Sequence, residues 1–252
     1  MDIIQECAAN FKLLAETTTY TFHTSLKKRT LVFSIDFKPI DFHHAVGLQY
    51  LHDISIPKNA KKTIDWILNE ENPVTDDYLA MDSEYRGKQD QERDVELRIS
   101  EFRFLEEYLD EKNIVYIYSP KDSPYKNSII PCDYIIESNL KSRNHTVFIF
   151  LKHRSGSNSP CRIMSFGVKK NVQYGGIHQY IMLKDKTKNR IRINIFKHPR
   201  YTSKQILMNE PEAKAEYIDE LIETENTNST IFTEKLSPAV EYSLYRSPES
   251  RY

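Results

Sequence analysis

Only three cysteines, Cys7, Cys132 and Cys161, occur in 252 residues, and no two of them form a CxxC pair. They cannot make a fully paired disulfide framework, which excludes the small secreted scaffolds that depend on one. No apolar run approaches the roughly 18 residues needed to cross a bilayer. The opening Met1-Asp2-Ile3-Ile4-Gln5-Glu6 is acidic and quickly polar, so no secretory signal is expected there. Internal repeats and low-complexity tracts are missing too. These absences lead to the expectation of a cytoplasmic, globular chain with no membrane partner. What is present supports it: 28% charged residues stand beside 12% aromatic ones, which argues against wholesale disorder. The length allows one elaborated domain, or a domain with a short second module.

A net charge of −1 conceals strong segregation. From Lys152 to Lys204 the chain carries thirteen Lys and Arg residues and one acid, Asp185, a formal +12 that leaves −13 for the rest. Such polarity points to a polyanion-binding face. Lys152, Arg154, Lys169, Lys170, Arg190 and Arg192 are the candidate nucleic-acid contacts within it. The other reading is a set of solvated strands whose lysines deter edge aggregation.

Periodicity divides the chain. Ile4, Cys7 (or Ala8), Phe11 and Leu14 predict an amphipathic opening helix. Thr18–Thr24 and Thr30–Phe37 read as strands, Phe42–Asp53 as a helix with Asp41 as its N-cap, and Lys58–Asn69 and Thr75–Met81 as two short helices. Glu92–Lys112 predicts one long helix, with Val95, Ile99, Phe102, Leu105 and Leu109 on one face. After Asn113 come short runs rich in Ile, Val, Tyr and Phe: Ile114–Tyr118, Cys132–Ser138, Thr146–Lys152, Cys161–Val168, Gln179–Lys184 and Arg190–Phe196. Glu210–Glu225 reads as an acidic helix, and an arm follows from Asn226. The expected fold is therefore α+β, N-terminal helices packed on a C-terminal antiparallel sheet, with residues 1–205 as the domain and 206–252 as acidic helix and arm.

One segment carries chemical information. In Asp41-Phe42-His43-His44-Ala45-Val46-Gly47-Leu48-Gln49-Tyr50-Leu51-His52-Asp53, the residues His44, Gly47, Leu48 and Leu51 share a helical face. Placed in a first helical turn, His44 would stay neutral and sit where anions bind, as a general base for phosphate chemistry requires. The other reading is a buried histidine hydrogen-bonded between helix and sheet.

The pattern Phe42, His44, Gly47, Leu48, Leu51 and Asp53 resembles the fourth phage-associated group of barnase–EndoU–colicin–RelE-like nucleases. The strands Cys132-Asp133-Tyr134-Ile135-Ile136, Val147–Lys152, Cys161-Arg162 and Tyr180–Lys184 are similar in order, over about residues 2 to 196. Tyr174-Gly175-Gly176 departs from the polar strand start expected there. The resemblance implies a small antiparallel sheet with helices on one face. It also implies RNA cleavage without metal or other cofactor, the ribose 2′-OH attacking the adjacent phosphate. On this reading His44 is the base or acid, Arg162 the phosphate clamp, His178 a second acid or base and Lys184 a second cation. RNA is then the substrate, in a toxin or phage-conflict setting where an antitoxin or inhibitor protein would be the partner. A non-catalytic RNA- or protein-binding module on the same fold is the alternative. No spacing of His43, His44 and His52 with a cysteine matches a zinc pattern, and Gly175-Gly176 lacks the context of a phosphate loop. Glu106-Glu107 and Asp76-Asp77 read as solvated carboxylates.

Overall fold

The computed structural model describes residues 2–26, 29–86, 94–119, 130–169, 174 and 176–201. The expected acidic helix at Glu210–Glu225, the arm after it and Lys170 lie outside these residues.

The chain opens with α1 (Ile3–Thr17), which buries Ile4, Cys7, Ala8, Phe11 and Leu14 at the predicted spacing. The Asp76 carboxylate caps it, accepting from the amides of Ile3 (2.7 Å) and Ile4 (3.1 Å). Asp76 is thus a capping group rather than a solvated acid. A hairpin follows, β1 (Thr18–Leu26) and β2 (Arg29–Asp36), in which Tyr20 and Phe22 alternate with polar residues and turn inward. Next come α2 (Pro39–Ala45), α3 (Thr63–Ile67) and α4 (Asp76–Leu79), then α5 (Val95–Phe102) and α6 (Leu105–Asp110).

The long helix expected over Glu92–Lys112 is two helices with a turn at Arg103-Phe104. All five of its apolar positions are nonetheless buried, so the break left no mark on the pattern. Phe104 sits between the guanidinium groups of Arg103 (4.6 Å) and Arg143 (4.4 Å), which favours the turn.

Six more strands follow among the described residues: β3 (Ile114–Tyr118), β4 (Tyr134–Asn139), β5 (Thr146–His153), β6 (Cys161–Lys169), β7 (Gly176–Lys188) and β8 (Ile191–Lys197). The strands β3 to β6 form the expected antiparallel meander. The sheet, however, is not open. Its order is β2-β6-β5-β4-β3-β7, and β1 pairs with both β2 and β7, so seven strands close into a barrel, with β8 paired to β7. This corrects the expected helices on an open antiparallel sheet.

The physical cause of closure is the thirteen-residue β7. Its start, Gly176–Gln179, pairs with β3, while the remainder pairs with β1 from Ser25↔Tyr180 to Thr18↔Lys188. The N-terminal hairpin thereby occupies a strand edge that an open sheet would expose. The seam on the far side is thin, a single parallel pairing of Ile35 with Cys161.

One face of the strands shares its apolar core with the helices. There Phe11, Phe42 and Phe102 pack ring on ring, beside Ile136, Ile149, Ile163 and Phe166. The opposite face carries a smaller cluster of Ile135, Phe148, Phe150 and Tyr174, with Tyr116, Tyr118, Cys132 and Met164 against it. Tyr174 caps that cluster edge-on, at 4.7 Å from Phe148 and 5.0 Å from Phe150.

Candidate nucleic-acid cleavage site

The His44 helix differs from its expected form. It runs only from Pro39 to Ala45, so His44 lies in its last turn and is exposed. The chain then turns at Gly47, whose φ of +85° is the left-handed region. A Cβ there would also lie 3.2 Å from Cδ of the buried Arg98. Glycine therefore ends the helix instead of opening a backbone to nucleotides. The dipole argument reverses as well, because a last turn favours cations over anions. Leu48 and Leu51 are buried as predicted. His43 contacts Thr63 through Nδ1 (3.2 Å), and burial, with His44 beside it, lowers its pKa. Asp53 accepts from the Ser83 amide at 3.0 Å, tying the motif's end to the loop after α4.

Lys184, expected as a second cation for phosphate, is 1% exposed and points at the end of α6. Its ammonium donates to the carbonyls of Leu109 (2.7 Å), Asp110 (3.2 Å) and Glu111 and to Oδ1 of Asn113 (2.9 Å). It satisfies carbonyls that the last helical turn leaves without a partner. Burial lowers its pKa to about 8. Lys186 reaches Asp110 and Glu106, and Lys188 reaches Glu106, so Glu106 is an ion-pair partner and not a solvated acid.

The +12 segment is correspondingly not one continuous positive face. Arg154 binds Asp36 and the buried Asp41, tying the end of β5 to α2. Arg192 donates to Asp185 through Nε at 3.0 Å. Arg190 is exposed in the two-residue turn between β7 and β8, at φ +67°. Lys169 ends β6.

Arg162 and His178 share a different surface. On β6 the neighbours Cys161 and Ile163 belong to the main core with Phe42 and Ala45 of α2. Strand alternation puts Arg162 on the other face, where Lys152 of β5 stands directly opposite it. His44 and Arg162 are joined by no hydrogen bond, ion pair or ring contact among the described residues.

On β7, His178 is exposed and pairs with Tyr116 of β3, the ring centroids 5.9 Å apart, while Tyr180 packs edge-on at 4.9 Å. Gly176 permits this approach: a Cβ there would lie 2.7 Å from the Ile117 carbonyl and 3.0 Å from Cβ of Tyr116. Tyr116 in turn donates to Oε2 of Glu137 on β4 at 3.1 Å. Carboxyl, phenol and imidazole thus form a row across three adjacent strands.

Their environments push their acidities apart from ordinary values. Burial raises the Glu137 carboxyl, with the Tyr116 hydrogen bond acting against it. Burial lowers His178 and, aided by the Glu137 charge, raises the Tyr116 phenol well above its usual range. The row can therefore offer a neutral base and a protonated acid together.

Sequence periodicity did not single out Glu137 or Tyr116 as candidates for such a row. The available signal was Glu137 itself, the single charged residue in the apolar strand Tyr134–Asn139. Among the described residues no group of three or more His, Cys, Asp or Glu could hold a metal ion, and no helix is long and apolar enough to cross a membrane.

No curated protein and no solved structure matches the chain. The family model described as phage-Barnase-EndoU-ColicinE5/D-RelE like nuclease4 matches residues 3–202, which takes in every described helix and strand. The chain belongs to that phage-associated family of nucleases of the barnase, EndoU, colicin and RelE type.

Proposed function

We propose that this nuclease is an endoribonuclease that works by acid–base catalysis without a metal, on the sheet face bearing Glu137, Tyr116 and His178. The observation that supports the reading most is the row itself: a base and an acid of displaced pKa, joined through a phenol, on a face that also bears two cations. The neutral His178 imidazole takes the ribose 2′-OH proton, and that oxygen attacks the adjacent phosphorus. The bond from phosphorus to the 5′-oxygen breaks, and the leaving oxygen takes the proton of Glu137. The products are a 2′,3′-cyclic phosphate and a 5′-OH. Tyr116 holds the Glu137 carboxyl through Oε2, leaving Oε1 to carry the proton. Arg162 and Lys152 draw the polyanion to the face.

His44 supports a second reading, because it is exposed and its ring makes no hydrogen bond among the described residues. The comparison of His178→Ala with His44→Ala separates the two. His178→Ala is expected to cut RNA cleavage roughly 10²–10⁴-fold, the size of an acid–base contribution, with His44→Ala near wild type. The reverse result moves the chemistry to α2. If neither variant nor wild type cleaves while RNA is still bound, the chain is a binding module.

A further inference from the structure

We propose that Lys152 and Arg162 form a subsite for a phosphate of single-stranded RNA other than the one that is cleaved. The two residues stand directly opposite each other in the β5–β6 register, a placement that like charges disfavour. Neither has an ion-pair or hydrogen-bond partner among the described residues. Nε of Arg162 is buried from solvent and donates to nothing, a state that ordinarily carries a penalty. Asp133, the acid nearest Lys152 in register, accepts from the His153 amide instead (2.8 Å). Other cations of the same stretch are matched: Arg154 by Asp36 and Asp41, Lys186 by Glu106 and Asp110, Arg192 by Asp185. This facing pair, by contrast, has no anion beside it among the described residues. A planar guanidinium fork beside a primary ammonium suits the several oxygens of a phosphate.

Position separates this subsite from the chemistry. Between Lys152 on β5 and His178 on β7 lie β4 and β3, three inter-strand steps or roughly 14 Å along the sheet. One phosphate cannot serve both places. The ground between them includes Tyr118, half-buried over the apolar cluster of Ile135 and Phe150, a ring against which an unstacked base could lie. Arg162 therefore grips the substrate away from the reacting phosphorus. The inference rests on the RNA-cleaving reading of this face, but its test does not depend on turnover.

The test uses the full chain and the double variant Lys152→Gln with Arg162→Gln. A short all-2′-O-methyl RNA oligomer, which lacks the proposed nucleophile, is titrated across salt concentrations. Loss of one phosphate contact should flatten the slope of log affinity against log salt by about 0.7. An unchanged slope overturns the subsite. In turnover, the double variant should raise KM for a cleavable oligomer about tenfold with kcat preserved. On a dinucleotide, which has a single phosphodiester, the rise in KM should be clearly smaller than on the oligomer, and an equal rise would overturn the subsite. Equal loss of kcat on both substrates would put the cations on the scissile phosphate and overturn the proposal. A flattened slope in a protein that cleaves neither substrate would keep the subsite and remove the cleavage reading. If the double variant unfolds, Arg162→Lys serves instead. Keeping the charge and losing the fork, it should preserve the slope while weakening binding severalfold, and unchanged affinity would overturn the proposal.

Discussion

The phenol of Tyr116 on β3 donates to Oε2 of Glu137 on β4 at 3.1 Å, and the same ring lies 5.9 Å from that of His178 on β7. Tyr116 thus connects the two groups that the proposed reaction needs in opposite protonation states. The spacing of acid and base follows from strand register, which is fixed by backbone pairing on both sides of β3.

That relationship sets a pH dependence. Burial raises Glu137 above 4.5 and lowers His178 below 6.5. The active form has His178 neutral and Glu137 protonated, so kcat/KM should peak in the mildly acidic range. It should fall on the acid side as the imidazole gains a proton, and on the alkaline side as the carboxyl loses one. Tyr116→Phe removes the hydrogen bond that favours the carboxylate, so the alkaline limb should move to higher pH. The maximum should also drop, by up to about tenfold, as loss of one hydrogen bond between neutral groups would give. Initial rates across pH check this, and a flat profile contradicts it.

Lys184 should behave as a structural group. Lys184→Met leaves several buried acceptors at the end of α6 without a donor, at about 1–3 kcal/mol each when unsatisfied. Urea unfolding should show a loss of at least about 2 kcal/mol at neutral pH. The sign of its titration is also set. Because burial depresses its folded pKa to about 8 from 10.5, the associated stability is present above 10.5 and is lost as pH falls through about 8. Wild type should therefore gain stability between these values relative to Lys184→Met. Parallel curves for the two proteins would place the ammonium in solvent.

Arg154→Met should be more costly than truncation of any cation on the opposite face. It leaves the buried Asp41 carboxylate without its partner, a change that typically costs 3–5 kcal/mol. Thermal or urea unfolding checks it, and a loss below about 0.5 kcal/mol, the range of ordinary surface changes, would contradict it.

Arg190 offers the opposite expectation. With Asn189 at φ +51° and Arg190 at φ +67°, the β7–β8 turn uses the left-handed pair that favours glycine at its second place. Arg190→Gly should raise stability by up to about 1 kcal/mol. Any loss of RNA affinity in that more stable variant would measure what the arginine contributes to binding.

Local pattern carried a good deal of this structure. The buried set of α1 and the bounds of β3 follow directly from periods of 3.6 and 2. Closure of the barrel was not legible, because it joins Thr18–Ser25 to Tyr180–Lys188 across most of the chain and depends on an extra length of β7 that reads as loop. The break at Arg103-Phe104 was hidden because two short helices bury the same five residues as one long helix. For the proposed site, the sequence singles out Arg162 and His178 as candidates but says nothing of the face they share, since strand alternation acts only once register is known. Lys184 looked like its neighbours until α6 was placed against it. His44 drew attention through a helix that Gly47 ends early.

The central claim is RNA cleavage by internal attack of the 2′-OH, and mapping the ends of the fragments tests it most directly. The protein is incubated with total RNA in EDTA and the termini are identified. The account predicts fragments with 2′,3′-cyclic phosphate and 5′-OH ends, their yield lowered roughly 10²–10⁴-fold in His178→Ala. Fragments with 5′-phosphate ends, cleavage of all-DNA strands at a comparable rate, or activity only on adding Mg²⁺ would contradict it.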